Sequence, residues 1–345
     1  MIEMTFWLRG TLFVLLTLPL GGCGGGERLV SSQSPLAPIE PVLPPTDSVP
    51  TPPAGADTVP PAVPDTVIPP PDSTPVAPLP APEHVGIPFG PYHLPTGLFG
   101  SGNATLRSAA PLAILADLEA ARQAGTRVIL SFVGNERRYR DDKGHFSMAK
   151  WKGRVDRFRG FDISSYIQDG TVIGHYILDE PHDASNWGGT VVTRAQVDEM
   201  ARYSKEIWPS MPTLIRGWPD FLKGYQYKYL DAAWAQYSDR FGDVDAFITS
   251  NVRDARAAGL ALVVGLNLLG GGNKSGGLKG FSGSRYAMTA SQVRRAGGVL
   301  MAEPYSCAFI NWEYNAAYFS RSDIQAALEE LNQEARSRPL KSCSK

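Results

Sequence analysis

The chain has 345 residues, with 33 Lys and Arg against 34 Asp and Glu, a formal net charge of −1, and 10% aromatic residues. That balance gives no basic face of the kind nucleic acid requires, so no nucleic-acid partner is expected. The apolar run at residues 10–20 is too short to cross a bilayer comfortably as a helix.

That run follows Arg9 and ends in Leu20-Gly21-Gly22-Cys23. An address segment is expected here rather than part of a fold. The four residues resemble the bacterial lipobox, which implies lipidation of Cys23 and a mature chain beginning there. The implied location is a bacterial membrane, facing the periplasm or the cell surface, with membrane contact through the lipid alone. An ordinary secretory signal with a chance cysteine is the alternative.

Composition then changes abruptly. Residues 34–82 hold 18 of the 29 prolines, among Val, Ala, Thr, Ser and Asp. Such a chain favours extended polyproline II at roughly 3 Å per residue, so this stretch could reach at most about 150 Å and reads as a spacer. Residues 1–22 are thus expected to be a signal, 23–83 an anchored linker, and 84–345 a single large domain, most simply a monomer.

Within that domain, strand-like and helix-like stretches alternate, as in a parallel α/β fold. Strands are expected at residues 85–90, 127–133, 172–178, 213–218, 232–237, 260–269 and 307–314. Helices are expected at 109–124, after Thr193 as far as Pro209, between 241 and 258, at 289–297, and at 324–336 with Ser322 as its cap. Seven strands are legible. An eighth is expected near residues 299–302 or in the segment after Val133. No G-x-G-x-x-G follows the first strand, which argues against an open nucleotide-binding sheet and leaves a (β/α)8 TIM-type barrel, with one strand irregular or missing.

The chemistry gathers at residues 172–181, VIGHYILDEP, an apolar strand ending in Asp179, Glu180 and a proline. Functional side chains in parallel α/β folds sit at such carboxyl ends. His175, His182 and Asp183 crowd the same stretch, but no paired-histidine motif is present and alternate strand residues face opposite ways, so no metal is expected. Nor is any other cofactor implied.

Asp179-Glu180-Pro181 resembles the Asn-Glu-Pro that ends the fourth strand in a large clan of retaining glycoside hydrolases built on (β/α)8 barrels. The resemblance implies a carbohydrate substrate or ligand, with Glu180 as acid/base in a strand-end setting expected to raise its pKa. It also implies a sugar platform at Trp312 and a substrate-positioning role for Asp179. Glu313 is the candidate second carboxylate, with Glu303 a competitor. In the clan the nucleophile ends the seventh strand, where this chain has Asn267 and no acid. Arg216, Trp218, Gln236, Tyr237 and Asn267 stand at strand ends and are candidate substrate contacts, since sugars stack on aromatic rings and hydrogen-bond to polar groups. A barrel that binds glycan or cell-wall polymer without turnover is the alternative function. Cys307 and Cys343 either pair or remain free thiols.

Overall fold

The computed structural model describes residues 83–345 except 274 and 275. The signal-like segment, Cys23 and the proline-rich stretch lie outside the described residues.

Eight parallel strands form one sheet in the order β1-β8-β7-β6-β5-β4-β3-β2. They are β1 (Phe89–Pro91), β2 (Ala104–Ser108), β3 (Arg127–Ser131), β4 (Val172–Asp179), β5 (Thr213–Arg216), β6 (Ala232–Tyr237), β7 (Ala261–Leu266) and β8 (Ser306–Asn311). The helices between and after them are α1 (Ile114–Gln123), α2 (Met148–Asp156), α3 (Ser164–Gln168), α4 (Arg194–Ile207), α5 (Pro219–Leu222), α6 (Val244–Ala257), α7 (Ala290–Ala302), α8 (Ala316–Phe319) and α9 (Ser322–Ser337). The architecture is an α/β barrel of the TIM type, closed except at the seam between β1 and β2.

Period-two alternation builds both layers. Leu106, Ile129, Tyr176, Leu214, Trp234, Val263, Ala308 and Ile310 fill the barrel interior as one buried cluster. Their outward neighbours, such as Val128, Leu130, Val264 and Leu266, pack under the helices in two further clusters.

The eighth strand is β2, not either of the expected places. Residues 299–302 form the last turn of α7, and the segment after Val133 forms a 3-10 turn (Glu136–Tyr139) and α2. A short apolar run fits a buried helix as well as a strand, which explains the first error. The same helix also runs past Gly297. A Cβ there would come within 2.4 Å of Leu331 on α9, so Gly297 permits close helix packing rather than ending the helix. Ser322 is the first residue of α9, whose N-cap is Arg321.

At the β1–β2 seam a single bridge, Tyr92 to Leu106, replaces a regular ladder. Side chains supply the remaining links. Asn103 accepts from the Phe89 amide and donates to the Ile87 carbonyl at 3.0 Å, and the Thr105 hydroxyl donates to the Pro91 carbonyl at 2.8 Å. Gly90 lets the strands approach, since a Cβ there would overlap the Ala104 carbonyl oxygen.

The opposite end of the barrel is plugged by the C-terminal tail. Cys343 lies in the interior cluster and forms a disulfide with Cys307 of β8, Cα atoms 5.3 Å apart, closing a loop with a sequence separation of 36. Lys345 then donates through Nζ to the Tyr227 carbonyl below β6. Cys343→Ser is expected to lower unfolding stability by about 3–4 kcal/mol, from the loop entropy restored to the unfolded chain. Guanidinium unfolding without reductant checks this; an unchanged midpoint would show that packing alone retains the plug.

His175 points outward from β4, fully buried between Phe132 and the rings of Trp151 and Trp208, with Nδ1 2.8 Å from the Ser204 hydroxyl. It therefore faces away from Asp179. Burial pushes its pKa down from 6.5 to about 3. The folded ring stays neutral where the unfolded chain takes up a proton, so its contribution is intact above pH 6.5 and is lost as pH falls below it. The slope is at most about 1.4 kcal/mol per pH unit. Denaturant unfolding at pH 7.5 and pH 5 should show a loss of about 2 kcal/mol that shrinks in His175→Asn. An equal loss in both proteins would assign it to other groups.

Candidate active site

Adjacent residues of a regular strand face opposite ways. Asp179 and Glu180 nevertheless meet the same cation, because β4 is irregular where it ends. Against β5 its register shifts between Tyr176 and Leu178, Ile177 being the extra residue, and this brings Asp179 opposite Arg216. Glu180 then adopts the left-handed region with φ 37°, a conformation that costs a non-glycine residue about 1–3 kcal/mol and is held only when its surroundings over-determine it. Here the Glu180 amide donates to the Arg216 carbonyl at 2.8 Å, and its own carbonyl accepts from the buried Trp187 indole at 3.0 Å.

Arg216 is the hub of the site. Its guanidinium engages Asp179 bidentately, through Nε to Oδ1 and Nη2 to Oδ2 at 3.1 Å. It also lies 3.1 Å from Glu180 Oε2, donates through Nη1 to Gln236 Oε1 at 3.1 Å, and lies 5.2 Å from the Trp312 ring centroid. Burial works against its charge, but Asp179, Tyr176 and Glu180 outweigh burial and hold its pKa above the usual guanidinium range. The apolar setting expected around Glu180 is thus occupied by a cation, and the carboxylate also accepts from Asn186 at 3.4 Å.

A cavity of about 540 Å³ lies along α5 and α6, and two others have the same volume of about 410 Å³, so volume does not select the site. One is an apolar groove on the flank between β1 and α9, lined by Phe89, Leu94 and Leu328 among others. The other opens at the carboxyl ends of the strands, and its walls include Glu180, Arg216, Trp218, Trp234, Gln236, Asn267 and Trp312. Of these two, only the second is lined by a strand-end carboxylate, that of Glu180.

Six of the nine residues expected from the sequence therefore line one cleft: Glu180, Arg216, Trp218, Gln236, Asn267 and Trp312. Asp179 is not among the lining residues but holds Arg216, which is. Trp218 is braced edge-on against Phe241 at 4.9 Å, and Asn267 accepts from the Gly270 amide at 2.9 Å, turning the chain after β7.

Tyr237 is a correction. Trp234 and Gln236 point inward, so Tyr237 points outward, packs on Phe247 and donates its hydroxyl to the Gly242 carbonyl at 2.6 Å. Glu303 is another correction. It caps the end of α7 and accepts from the Tyr305 amide, before β8 begins, and so belongs to the plugged face.

Glu313 follows β8 at the correct end, but its carboxylate lies 3.3 Å from Nδ1 of His93, which follows the paired strand β1, and does not line the cleft.

Tyr92, beside His93, is stacked on Trp312 at 4.8 Å. Burial pushes the Tyr92 hydroxyl up to about 12, and the charges of Asp179, Glu136 and Glu313 add to the rise. Glu136 had no sequence signal beyond its place in the loop after β3. Burial raises its pKa, against the hydrogen bond from its own backbone amide, and Asp179 adds to the rise while Arg140 and Arg216 oppose it. Among the described residues no cluster of His, Cys, Asp and Glu has a metal-holding arrangement.

No protein-family model and no curated protein matches the chain. Similar solved structures include a β-glucuronidase from an uncultured Clostridium species, at 12% identity and TM-score 0.48, covering 72% of this chain and 50% of that one. An endocellulase from Pyrococcus horikoshii is similar at 10% identity and TM-score 0.45, covering 69% of this chain and 84% of that one. A broad-specificity endoglucanase from Clostridium longisporum is similar at 13% identity and TM-score 0.46, covering 70% and 86%. The chain thus spans about half the length of the glucuronidase it resembles.

Proposed function

We propose that the cleft binds a poly- or oligosaccharide and that Glu180 carries the proton in cleavage of a glycosidic bond. The observation that carries this reading is the pair Asp179 and Glu180, turned by a bulge and a left-handed residue onto one arginine that lines a tryptophan-walled cleft. Strain of that kind gathers where a side chain must be aimed. Trp312 and Trp218 offer flat faces to a sugar ring, while Gln236 and Asn267 offer amides to its hydroxyls.

In this reading a protonated Glu180 gives its proton to the leaving oxygen. Arg216 and Asp179 fix the position of the Glu180 carboxyl, and a second carboxylate attacks or activates water. Glu313, the candidate from the sequence, would have to leave its contact with His93 and turn into the cleft to fill that role. Outside the described residues, the same reading has the barrel carried behind a proline-rich spacer on a lipidated Cys23.

A second reading, a glycan-binding barrel without turnover, is favoured by Arg216, which holds both strand-end acids, and by Asn267 after β7 where an acid would be needed. Binding of a polysaccharide panel by the full chain, with product analysis of each hit, separates the two. Products that disappear with Glu180→Gln support the enzyme; binding without products supports the second reading.

A further inference from the structure

The cleft is electrically lopsided. Of the two acids that line it, Glu180 is engaged by Arg216, and Asp183 accepts from the Ser185 amide at 3.0 Å and the Ser185 hydroxyl at 2.6 Å. From the segments after β6 and β7, Arg240 and Arg285 line the same cleft, and neither guanidinium has an ion pair or hydrogen bond among the described residues.

Both are placed rather than loose. Arg240 is propped 4.7 Å from the centroid of Phe241, the ring that braces Trp218. Arg285 lies across Gly270, where a Cβ would sit 3.1 Å from its Cδ and 3.2 Å from Asn267 Oδ1. The nearby acids are committed. Asp239 binds Arg295 at 3.2 Å and Gln292 at 2.5 Å, and Asp243 caps α6 through the Ala246 amide at 2.8 Å. Elsewhere Arg253, Arg294 and Arg321 each have a carboxylate within 3.1 Å.

We infer that the saccharide is acidic, with a carboxylate or sulfate group held between Arg240 and Arg285. Guanidinium forks match the paired oxygens of such groups, whereas a neutral sugar leaves both charges uncompensated. The inference rests on the saccharide reading above and specifies its substrate class.

The test uses the full chain and matched polymers by affinity electrophoresis and calorimetry. Polygalacturonate, alginate and hyaluronan are each compared with their carboxyl-reduced forms, and a sulfated galactan with its desulfated form. At least one acidic form is expected to bind about tenfold or more tightly than its neutral partner, with an advantage that shrinks as salt rises. Arg240→Gln with Arg285→Gln should erase the advantage while changing neutral binding less than about twofold. Which pair responds tells carboxylate from sulfate. Neutral forms binding as tightly as acidic ones, or an advantage that survives the double substitution, would overturn the inference and leave the saccharide reading standing. Failure of every polymer in both forms would remove both.

Discussion

Glu180→Gln should lower turnover of any saccharide the protein cleaves by about 10² to 10⁴-fold while leaving its affinity for that saccharide within a few-fold. Gln keeps the length of the side chain and an acceptor for Asn186, and the strained backbone is held by bonds that no substitution of the side chain touches. The side chain is 28% exposed, so the loss of its contact with Arg216 costs little in stability. Initial rates, calorimetric binding and a thermal melt on the same sample check the three parts together. Unchanged rates would remove Glu180 as the proton carrier. A collapse of the melt would make it a structural residue of the β4–β5 junction.

Arg216→Met is expected to have the largest effect on stability, about 3–5 kcal/mol, because it leaves the Asp179 carboxylate below the surface without its bidentate partner. Gln236 loses its donor at the same time. A second substitution distinguishes this cause from lost packing. If the cost is an uncompensated charge, Asp179→Asn in the Arg216→Met background should recover part of the stability, although the same change in the native protein is destabilising. Additive losses in the double variant would mean that Arg216 acts through its stacking on Trp312 instead.

Much of the architecture was readable from period and punctuation. The apolar runs of β3, β4, β6 and β7 are buried on both faces and stand out as continuous hydrophobic sequence. Thr193 starts α4 with its hydroxyl and Gln196 in a reciprocal capping box, as its spacing implied. What escaped was β2, whose five residues include Thr105 and Arg107, because its pairing with β1 runs largely through side chains and leaves no hydrophobic signature. The site was legible where strands end and illegible where loops return. Glu180, Arg216, Gln236 and Trp312 follow apolar runs, whereas Glu136, Arg240 and Arg285 come from polar segments with no period to read. Tyr237 was misplaced for a different reason, since naming every polar or aromatic residue at a strand end ignores that neighbours point in opposite directions.

The seam between β1 and β2 makes the closure of the barrel unusually dependent on side-chain identity. Around most of the rest of the sheet the backbone supplies the hydrogen bonds, with exceptions such as the Leu266 amide donating to the Asn311 side chain. Where Asn103 and Thr105 stand in for the ladder, a point mutation removes pairing itself, as a proline would elsewhere. Hydrogen exchange should therefore find its first sub-global opening at this join, beside the ring of Tyr92 and the Glu313–His93 contact. Drift in sequence at two positions far from Glu180 in the chain would thus loosen the wall on which Trp312 rests.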